Sequence, residues 1–132
     1  MSYSIKEVSE KTGITAHVLR YYEKEGVLPR IGRSQGGSRR YTDEDLDLLG
    51  LIGCLKNTGM PLKDIRTFVQ LREEGPDTLR QRRDILSAQR ASVLERMEEM
   101  KRNYEKVTKK LAYYDGLLAR YEAEKAEENR LP

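Results

Sequence analysis

Apolar residues recur at two different spacings along the chain, and the spacing changes near residue 76. In residues 1–75, short apolar stripes alternate with glycine and proline, which is typical of several short helices packed around one small core. From Leu79 to Tyr121 the repeat becomes a heptad sustained over six repeats. The pattern predicts a mainly α-helical chain with three parts: a compact head (residues 1–75), a coiled-coil dimerisation helix (residues 76–121) and a flexible tail (residues 122–132).

Helix-capping residues predict two short helices at the start of the head. Ser4 stands three residues before Glu7, a capping box in which each side chain binds a backbone N–H that the helix leaves free. Gly13 can adopt the left-handed conformation that ends such a helix, and Thr15 can cap a second helix that runs to about Glu25. Two short helices joined by a tight turn form a helix-turn-helix, whose second helix normally enters a DNA groove.

A two-stranded wing is predicted directly after these helices. The glycines that follow Pro29 interrupt helical periodicity, while "PRIGR" and "RRYT" are suited to short strands on either side of a polar tip. Between Gly26 and Tyr41 the chain has no acidic residue and four arginines, Arg30, Arg33, Arg39 and Arg40. The wing therefore concentrates positive charge next to the second helix.

Two further helices complete the predicted head. Thr42 and Asp45 form a second capping box, which starts a third helix that runs to about Thr58. Gly59 ends this helix, and Pro61, which is tolerated in a first helical turn, opens the fourth. The residues expected to face the core are Leu48, Ile52 and Leu55 in the third helix and Leu62, Ile65, Phe68 and Val69 in the fourth.

The long helix is too sparsely apolar to be stable alone. A helix over residues 77–119 would be about 65 Å long at roughly 1.5 Å per residue, and the chain offers no second helix of that length to pack against it. The heptad d positions are Leu79, Leu86, Val93, Met100, Val107, Tyr114 and Tyr121, and the a positions are Arg83, Arg90, Met97, Tyr104, Leu111 and Leu118. A homodimer formed through this seam is therefore expected.

The residues at the two ends of the seam favour an antiparallel dimer. A parallel pair would place Arg83 and Arg90 against their own copies, whereas antiparallel pairing brings them near Tyr114 and Tyr121, on whose rings guanidinium groups can stack. The alternative is that both ends fray and these residues are solvated. Gly116 is expected to end or kink the helix, because glycine costs about 1 kcal/mol relative to alanine in a helix.

Composition excludes several classes of site. The chain has one cysteine and one histidine, too few for an intrachain disulfide or for a zinc site made of such residues, and no cofactor is expected. No apolar run approaches 18 residues and no secretion leader is evident, so we expect a cytoplasmic protein that does not enter a membrane. The net charge of +3 is modest, and its concentration in the wing is more informative than its size.

Three blocks in this order resemble the MerR family of bacterial transcription regulators: "SIKEVSEKTGITAHVLRYYEKEGVL", "RRYTDEDL" and "LKNTGMPLKDI", followed by a long heptad helix. The resemblance implies a winged helix-turn-helix head and an antiparallel coiled-coil homodimer on a palindromic promoter. It also implies that an inducer makes the dimer untwist and bend promoter DNA for RNA polymerase, which is a form of indirect readout.

A DNA-binding surface is expected along the second helix and the wing. From the residue types alone, arginine and tyrosine side chains there are suitable donors to phosphates and base edges. The resemblance also implies contacts by Arg20, Tyr22, Arg39 and Tyr41, whereas Tyr21 could instead pack inward. The resemblance alone adds Thr15, Ala16 and His17 on the second helix and Lys56 as a phosphate contact. The complete predicted set is Thr15, Ala16, His17, Arg20, Tyr21, Tyr22, Arg33, Arg39, Tyr41 and Lys56.

Cys54, in "LIGCLKNTGM", has two interpretations. The resemblance to the family's thiol-responsive branch, which also has a cysteine in the third helix, implies a sensor of aldehydes, other electrophiles or nitrosative and redox stress. Alternatively, Cys54 is an inert, small apolar residue beside Leu51 and Leu55. A third possibility for the inducer is a small apolar ligand held noncovalently near the coiled coil.

Two other classes of protein compete with a DNA-binding regulator. A thiol enzyme would need a base to activate Cys54, but the only histidine, His17, lies on the helix assigned to DNA, so no enzyme is expected. A structural coiled-coil adaptor would account for residues 77–121 but not for the arginine-rich wing or the "RYYE" block. A steep dependence of promoter binding on salt would distinguish the regulator from both.

Overall fold

A computed structural model describes residues 1–131 and confirms a mainly helical chain. The residues fall into two compact units, Met1–Arg90 and a second unit that begins at Ala91. The elements, in chain order, are β1 (Ser2–Tyr3), α1 (Ile5–Thr12), α2 (Ala16–Lys24), β2 (Gly32–Arg33), β3 (Arg39–Thr42), α3 (Asp43–Asn57), α4 (Leu62–Glu74), a 3₁₀ turn (Pro76–Thr78) and α5 (Leu79–Arg130).

The predicted helix caps are present. The Ser4 hydroxyl accepts from the Glu7 N–H at 3.1 Å, and the Glu7 carboxylate accepts from the Ser4 N–H at 3.0 Å. The backbone N–H of Ser4 and then its side chain, both beside the Glu7 carboxylate, hold the pKa of the Glu7 carboxyl below its ordinary value. Gly13 ends α1 with φ 75°, a left-handed conformation that glycine adopts without steric cost, and Thr15 caps α2.

The wing belongs to a three-stranded antiparallel sheet in the order β1–β3–β2. The two wing strands that the sequence predicts pair Arg33 with Arg39, and Tyr3 pairs with Tyr41 between β1 and β3. The sequence did not predict β1, because a two-residue strand carries no periodic signal. The guanidinium of Arg40 secures this strand by donating to the Ser2 carbonyl oxygen at 3.0 Å.

One apolar core joins all the helices of the head. The predicted inward faces of α3 and α4 are buried, except that Leu62 is only partly covered. The buried apolar residues of this core are Val8, Leu19, Tyr22, Val27, Leu28, Ile31, Tyr41, Leu48, Leu49, Ile52, Leu55, Met60, Ile65 and Val69. Because residues from both sides of the helix-turn-helix and from the wing share this core, α2 and the wing are held in a fixed arrangement.

The head extends into the first turns of α5. The Thr78 hydroxyl is buried and donates to the Gly75 carbonyl oxygen at 2.9 Å, and Arg82 Nε donates to that hydroxyl at 2.9 Å. Ile85 packs against the core, and the compact unit continues to Arg90. The predicted boundary at residue 75 therefore coincides with a turn between helices, and the packed head includes residues beyond it.

Helix α5 is longer than the sequence predicts. It continues through Gly116 and ends at Arg130, so the expected break is absent and the expected flexible tail is helical through residue 130. The free-energy cost of one glycine, about 1 kcal/mol, is small for a helix of 52 residues. The tail sequence "EAEKAEENR" consists mostly of good helix formers. The division of the chain into three functional parts stays a prediction.

Candidate nucleic-acid interface

Helix α2 presents one polar face to solvent. His17, Arg20, Tyr21 and Lys24 follow the three- and four-residue spacing of a helix face, and all four are exposed. The opposite face is buried through Leu19. The face that carries three of the predicted contacts, His17, Arg20 and Tyr21, is therefore free to enter a DNA groove.

The N-terminal end of α2 combines a side-chain cap with free backbone donors. The Thr15 hydroxyl accepts from the Val18 N–H at 3.2 Å, so this hydroxyl is engaged within the protein. Ala16 is half-buried in the first turn. Because the first N–H groups of a helix point outward and carry partial positive charge, this end is suited to a DNA phosphate.

The two tyrosines of the "RYYE" block have opposite environments. Tyr22 is only 4% exposed and packs in the core, whereas Tyr21 is 44% exposed. This reverses the sequence expectation that Tyr21 was the residue more inclined to pack inward. The Tyr22 hydroxyl accepts from Lys56 Nζ at 3.1 Å, and the same ammonium lies 5.5 Å from the centre of the Tyr22 ring. Tyr22 is therefore mostly buried and in contact with Lys56, and its predicted contact with DNA stays a prediction.

Two of the wing arginines, Arg39 and Arg33, converge on a single carboxylate of α2. Arg39 Nε donates to Glu23 at 2.7 Å, and the Ile31 N–H donates to the same carboxylate at 3.1 Å. Arg33 Nη2 lies 3.8 Å from the same carboxylate, and the Arg33 side chain is more exposed than that of Arg39. Burial by itself would raise the pKa of the Glu23 carboxyl, but the hydrogen bonds from Arg39 and Ile31 outweigh it and hold that pKa below its ordinary value.

Tyr41 is a core residue, so its predicted side-chain contact with DNA is corrected. Its side chain has no exposed surface, and its hydroxyl has no hydrogen-bond partner among residues 1–131. Burial raises the pKa of this hydroxyl above its ordinary value. The alternation of β3 explains the error: Tyr41 faces the core, and inward and outward residues of a two-stranded wing cannot be assigned without the register.

Cys54 is exposed on the surface of α3, so it does not fill the core, and the choice between a reactive and an inert thiol stays a prediction. It lines an open cleft of about 650 Å³ with Gly13 of the α1–α2 turn and with Gly50 of its own helix. Its backbone carbonyl accepts from the Thr58 hydroxyl at 2.8 Å, and Thr58 accepts in turn from Gln89 of α5 at 2.7 Å. The thiol is accessible, and its helical turn is tied to the first turns of α5.

Glu23 is the site residue that the sequence reasoning missed. It is the acid of the "RYYE" block, and the next acid-free stretch of the chain contains the wing arginines. The two carboxylates ahead of the arginine-rich hairpin, Glu23 and Glu25, were a usable signal of charge pairing. Its partner at position 39 is 16 residues away, so only the folded hairpin reveals the contact.

Residues 1–131 contain no cluster of three or more histidine, cysteine or carboxylate side chains arranged to hold a metal ion.

Comparison with known proteins then decides the family. A model of the MerR HTH family regulatory protein matches residues 3–71, and a model named "MerR, DNA binding" matches residues 46–109. The chain belongs to the MerR family. Its relatives are transcription regulators, so the chain is assigned to a family of regulators and not of enzymes.

Individual MerR relatives extend the match over most of the chain. An uncharacterised HTH-type transcriptional regulator of Haemophilus influenzae is 45% identical over 114 residues, which cover 86% of this chain and 84% of that protein. A similar solved structure is the crystal structure of HiNmlR, a MerR family regulator lacking the sensor domain, bound to promoter DNA. The two sequences are 44% identical, the TM-score is 0.84, and the match covers 90% of this chain and 94% of that one.

A second crystal structure, of a putative MerR family transcriptional regulator from Listeria monocytogenes, has a TM-score of 0.85 at 31% identity and covers 96% of both chains. The whole MerR architecture of this chain, including α5, is thus found in related structures. Within the part of the chain that is described, every helix is too short or too polar to span a bilayer.

Proposed function

We propose that this MerR-family chain binds promoter DNA as a homodimer and regulates transcription from that promoter. The observation that carries the proposal is its similarity along 90% of the chain to HiNmlR, a relative whose structure contains promoter DNA. The exposed face of α2 supports it, because His17 and Arg20 offer donors for base edges and phosphates at the expected position. Arg33, Arg39 and Lys56 would contact the phosphates on either side.

The dimer forms through the seam of α5. In the second unit the seam positions carry large apolar side chains that are more than half exposed in the single chain: Met97, Met100, Tyr104, Val107, Leu111, Tyr114, Leu118 and Tyr121. A regular stripe of this kind, which recurs every three or four residues, matches the requirement of a coiled coil. A second copy is the occupant with the same heptad register, and antiparallel pairing brings the arginine end of one seam to the tyrosine end of the other.

An antiparallel dimer carries two copies of the α2 surface related by a twofold axis. Its operator is therefore palindromic, with two half-sites whose spacing is set by the distance between the two heads. The regulator acts on chromosomal DNA in the cytoplasm. When induced, it untwists and bends the promoter so that RNA polymerase can use it, and the cost of this deformation is offset by the contacts that the bent DNA gains.

The signal is a thiol-reactive electrophile that modifies Cys54. The accessible thiol supports this proposal, as does the hydrogen-bonded path from the Cys54 carbonyl through Thr58 to Gln89. With an aldehyde, the thiolate sulfur attacks the carbonyl carbon, the C=O π electrons move to oxygen, and that oxygen takes up a proton to give a hemithioacetal. A modified side chain would shift the end of α3 and, through Thr58, the start of α5.

A transcription assay in vitro tests the promoter and the signal together. The template is a duplex that contains a promoter protected by the protein in footprinting, and the variables are added formaldehyde and the substitution Cys54→Ser. We expect wild-type protein to bind in both conditions and to increase transcription only with formaldehyde, while C54S binds and does not respond. An equal response from C54S would contradict the covalent sensor and favour a noncovalent inducer. Failure of the wild-type protein to protect any promoter in the footprinting step would contradict the regulator itself.

A further inference from the structure

The carboxylate of Glu23 is set between the recognition helix and the wing. Its side chain is only 11% exposed, and it receives hydrogen bonds from Arg39 Nε at 2.7 Å and from the Ile31 N–H at 3.1 Å. Arg33 Nη2 lies 3.8 Å from its second oxygen. A single acid thus joins α2, the loop before β2 and both wing strands.

The contact with Arg39 is made on one particular edge of the guanidinium. Within residues 1–131, the only hydrogen bond of the Arg39 side chain uses Nε, so the two Nη groups remain available. A guanidinium carries five N–H donors in a rigid plane, and fixing Nε fixes the direction of the other four. The Arg39 side chain as a whole is 22% exposed, so part of it remains accessible to solvent.

We infer that Glu23 is a positioning residue for DNA recognition, which orients Arg39 so that its Nη groups meet a DNA phosphate beside the wing. This inference rests on the proposed binding of promoter DNA. An arginine held in its bound direction loses less conformational freedom when DNA binds than a free arginine does, and affinity rises for that reason. This gain in affinity is expected only in a sequence-specific complex, in which the wing contacts the DNA at one fixed position.

A purely electrostatic role of Glu23 would have the opposite effect on DNA affinity. A carboxylate near the DNA backbone repels phosphate, so removing its charge would tighten binding of any DNA sequence. A purely structural role, in which Glu23 only secures the hairpin through the Ile31 N–H, predicts a change in stability without any dependence on Arg39. The three roles therefore differ in the sign of the affinity change and in its coupling to residue 39.

The experiment measures affinity for a duplex that the wild-type protein selects from a random library, in parallel with affinity for calf-thymus DNA. The variants are Glu23→Gln, Arg39→Met and the double substitution. Glutamine keeps an oxygen acceptor for the Ile31 N–H, and methionine keeps the apolar stem of Arg39. Glu25→Gln is the matched control, because it removes a charge two residues away whose partner is Arg66, not a wing arginine.

We expect E23Q to weaken binding of the selected duplex about tenfold, as for the loss of one charge-assisted contact, and not to weaken binding of calf-thymus DNA. In the R39M background, E23Q should change the affinity less than twofold. Urea unfolding of each variant verifies that the folded state is populated in the binding assay. E25Q should bind the selected duplex like wild type.

Two results would overturn the inference. If folded E23Q binds the selected duplex as tightly as wild type or more tightly, Glu23 does not position Arg39 for DNA. If the effects of E23Q and R39M on affinity simply add, Glu23 acts through the hairpin and not through the arginine. Failure of the wild-type protein to select any duplex would instead overturn the proposed promoter binding, and this inference with it.

Discussion

Gln89 of α5 donates a hydrogen bond from Nε2 to the Thr58 hydroxyl at 2.7 Å, and the same group donates to the Thr58 carbonyl oxygen at 3.1 Å. Thr58 follows the last turn of α3, where its hydroxyl is bonded to the Cys54 carbonyl oxygen. One amide side chain therefore ties the turn that contains the thiol to the start of the long helix.

Removing this amide should uncouple the thiol from α5. For Gln89→Leu we expect operator affinity within twofold of wild type, a loss of about 1 kcal/mol in the free energy of unfolding, and a reduced transcription response to formaldehyde. Gln81→Leu is the matched control, since Gln81 is exposed on the same helix. A full response from Q89L would show that the signal does not pass through this contact.

Tyr41→Phe should separate a core role from a DNA contact. The buried Tyr41 hydroxyl has no partner within residues 1–131, so its removal leaves no other group unpaired. We expect Y41F to be as stable as wild type or about 1 kcal/mol more stable in urea unfolding, with unchanged affinity for the operator. A Y41F protein of normal stability that binds DNA tenfold more weakly would restore Tyr41 to the interface.

The Glu23 carboxyl should make stability sensitive to acid. Burial alone would raise its pKa, but the hydrogen bonds from Arg39 and Ile31 and the positive charges of Arg39 and Arg33 hold that pKa in the folded head below its value in the unfolded chain. The resulting stabilisation is complete above the unfolded pKa and is lost as the pH falls through the folded pKa. Urea unfolding at a series of pH values from neutral downward should show a shallower acid decline in E23Q than in wild type. Parallel declines would contradict the assignment.

One substitution in the α5 seam should dissociate the dimer. Leu111→Asp places a charge at an a position in both copies, and the loss of two leucine contacts of about 2 kcal/mol each raises the dissociation constant about a thousandfold. Ala112→Asp, one residue away and outside the seam, should leave the dimer intact. Sedimentation equilibrium distinguishes the two species. A dimeric L111D protein would show that the chains associate through another surface.

The features that sequence predicted best depend on local chemistry. The capping boxes of Ser4 and Thr42, the left-handed Gly13 and the cap at Thr15 are all confirmed, because each is decided by neighbours within four residues. The heptad repeat likewise predicted a long helix. The glycines and strand-like segments after Pro29 predicted the wing, and the family resemblance implied the same winged arrangement, which agrees with the structure.

The features that sequence missed depend on contacts between distant parts of the chain. Which tyrosine of the pair faces the core is set by how α2 meets the rest of the head, and the burial of Tyr41 is set by the register of β3. The hydrogen bond between Glu23 and Arg39 joins residues that are 16 apart in the sequence, and it needs the hairpin to form first. The exposure of Cys54 follows from an open cleft that no local pattern encodes.

Sequence-specific DNA binding through α2 is tested most directly by Arg20→Ala. The measurement is fluorescence anisotropy with the duplex selected by wild-type protein, over a range of salt concentrations. Arg102→Ala, which removes the same charge from the exposed surface of α5, is the control. We expect wild type and R102A to bind the selected duplex with a steep salt dependence, and R20A to lose about tenfold or more in affinity and much of its preference over random DNA. If R20A retains both the affinity and the preference, α2 is not the helix that reads the promoter.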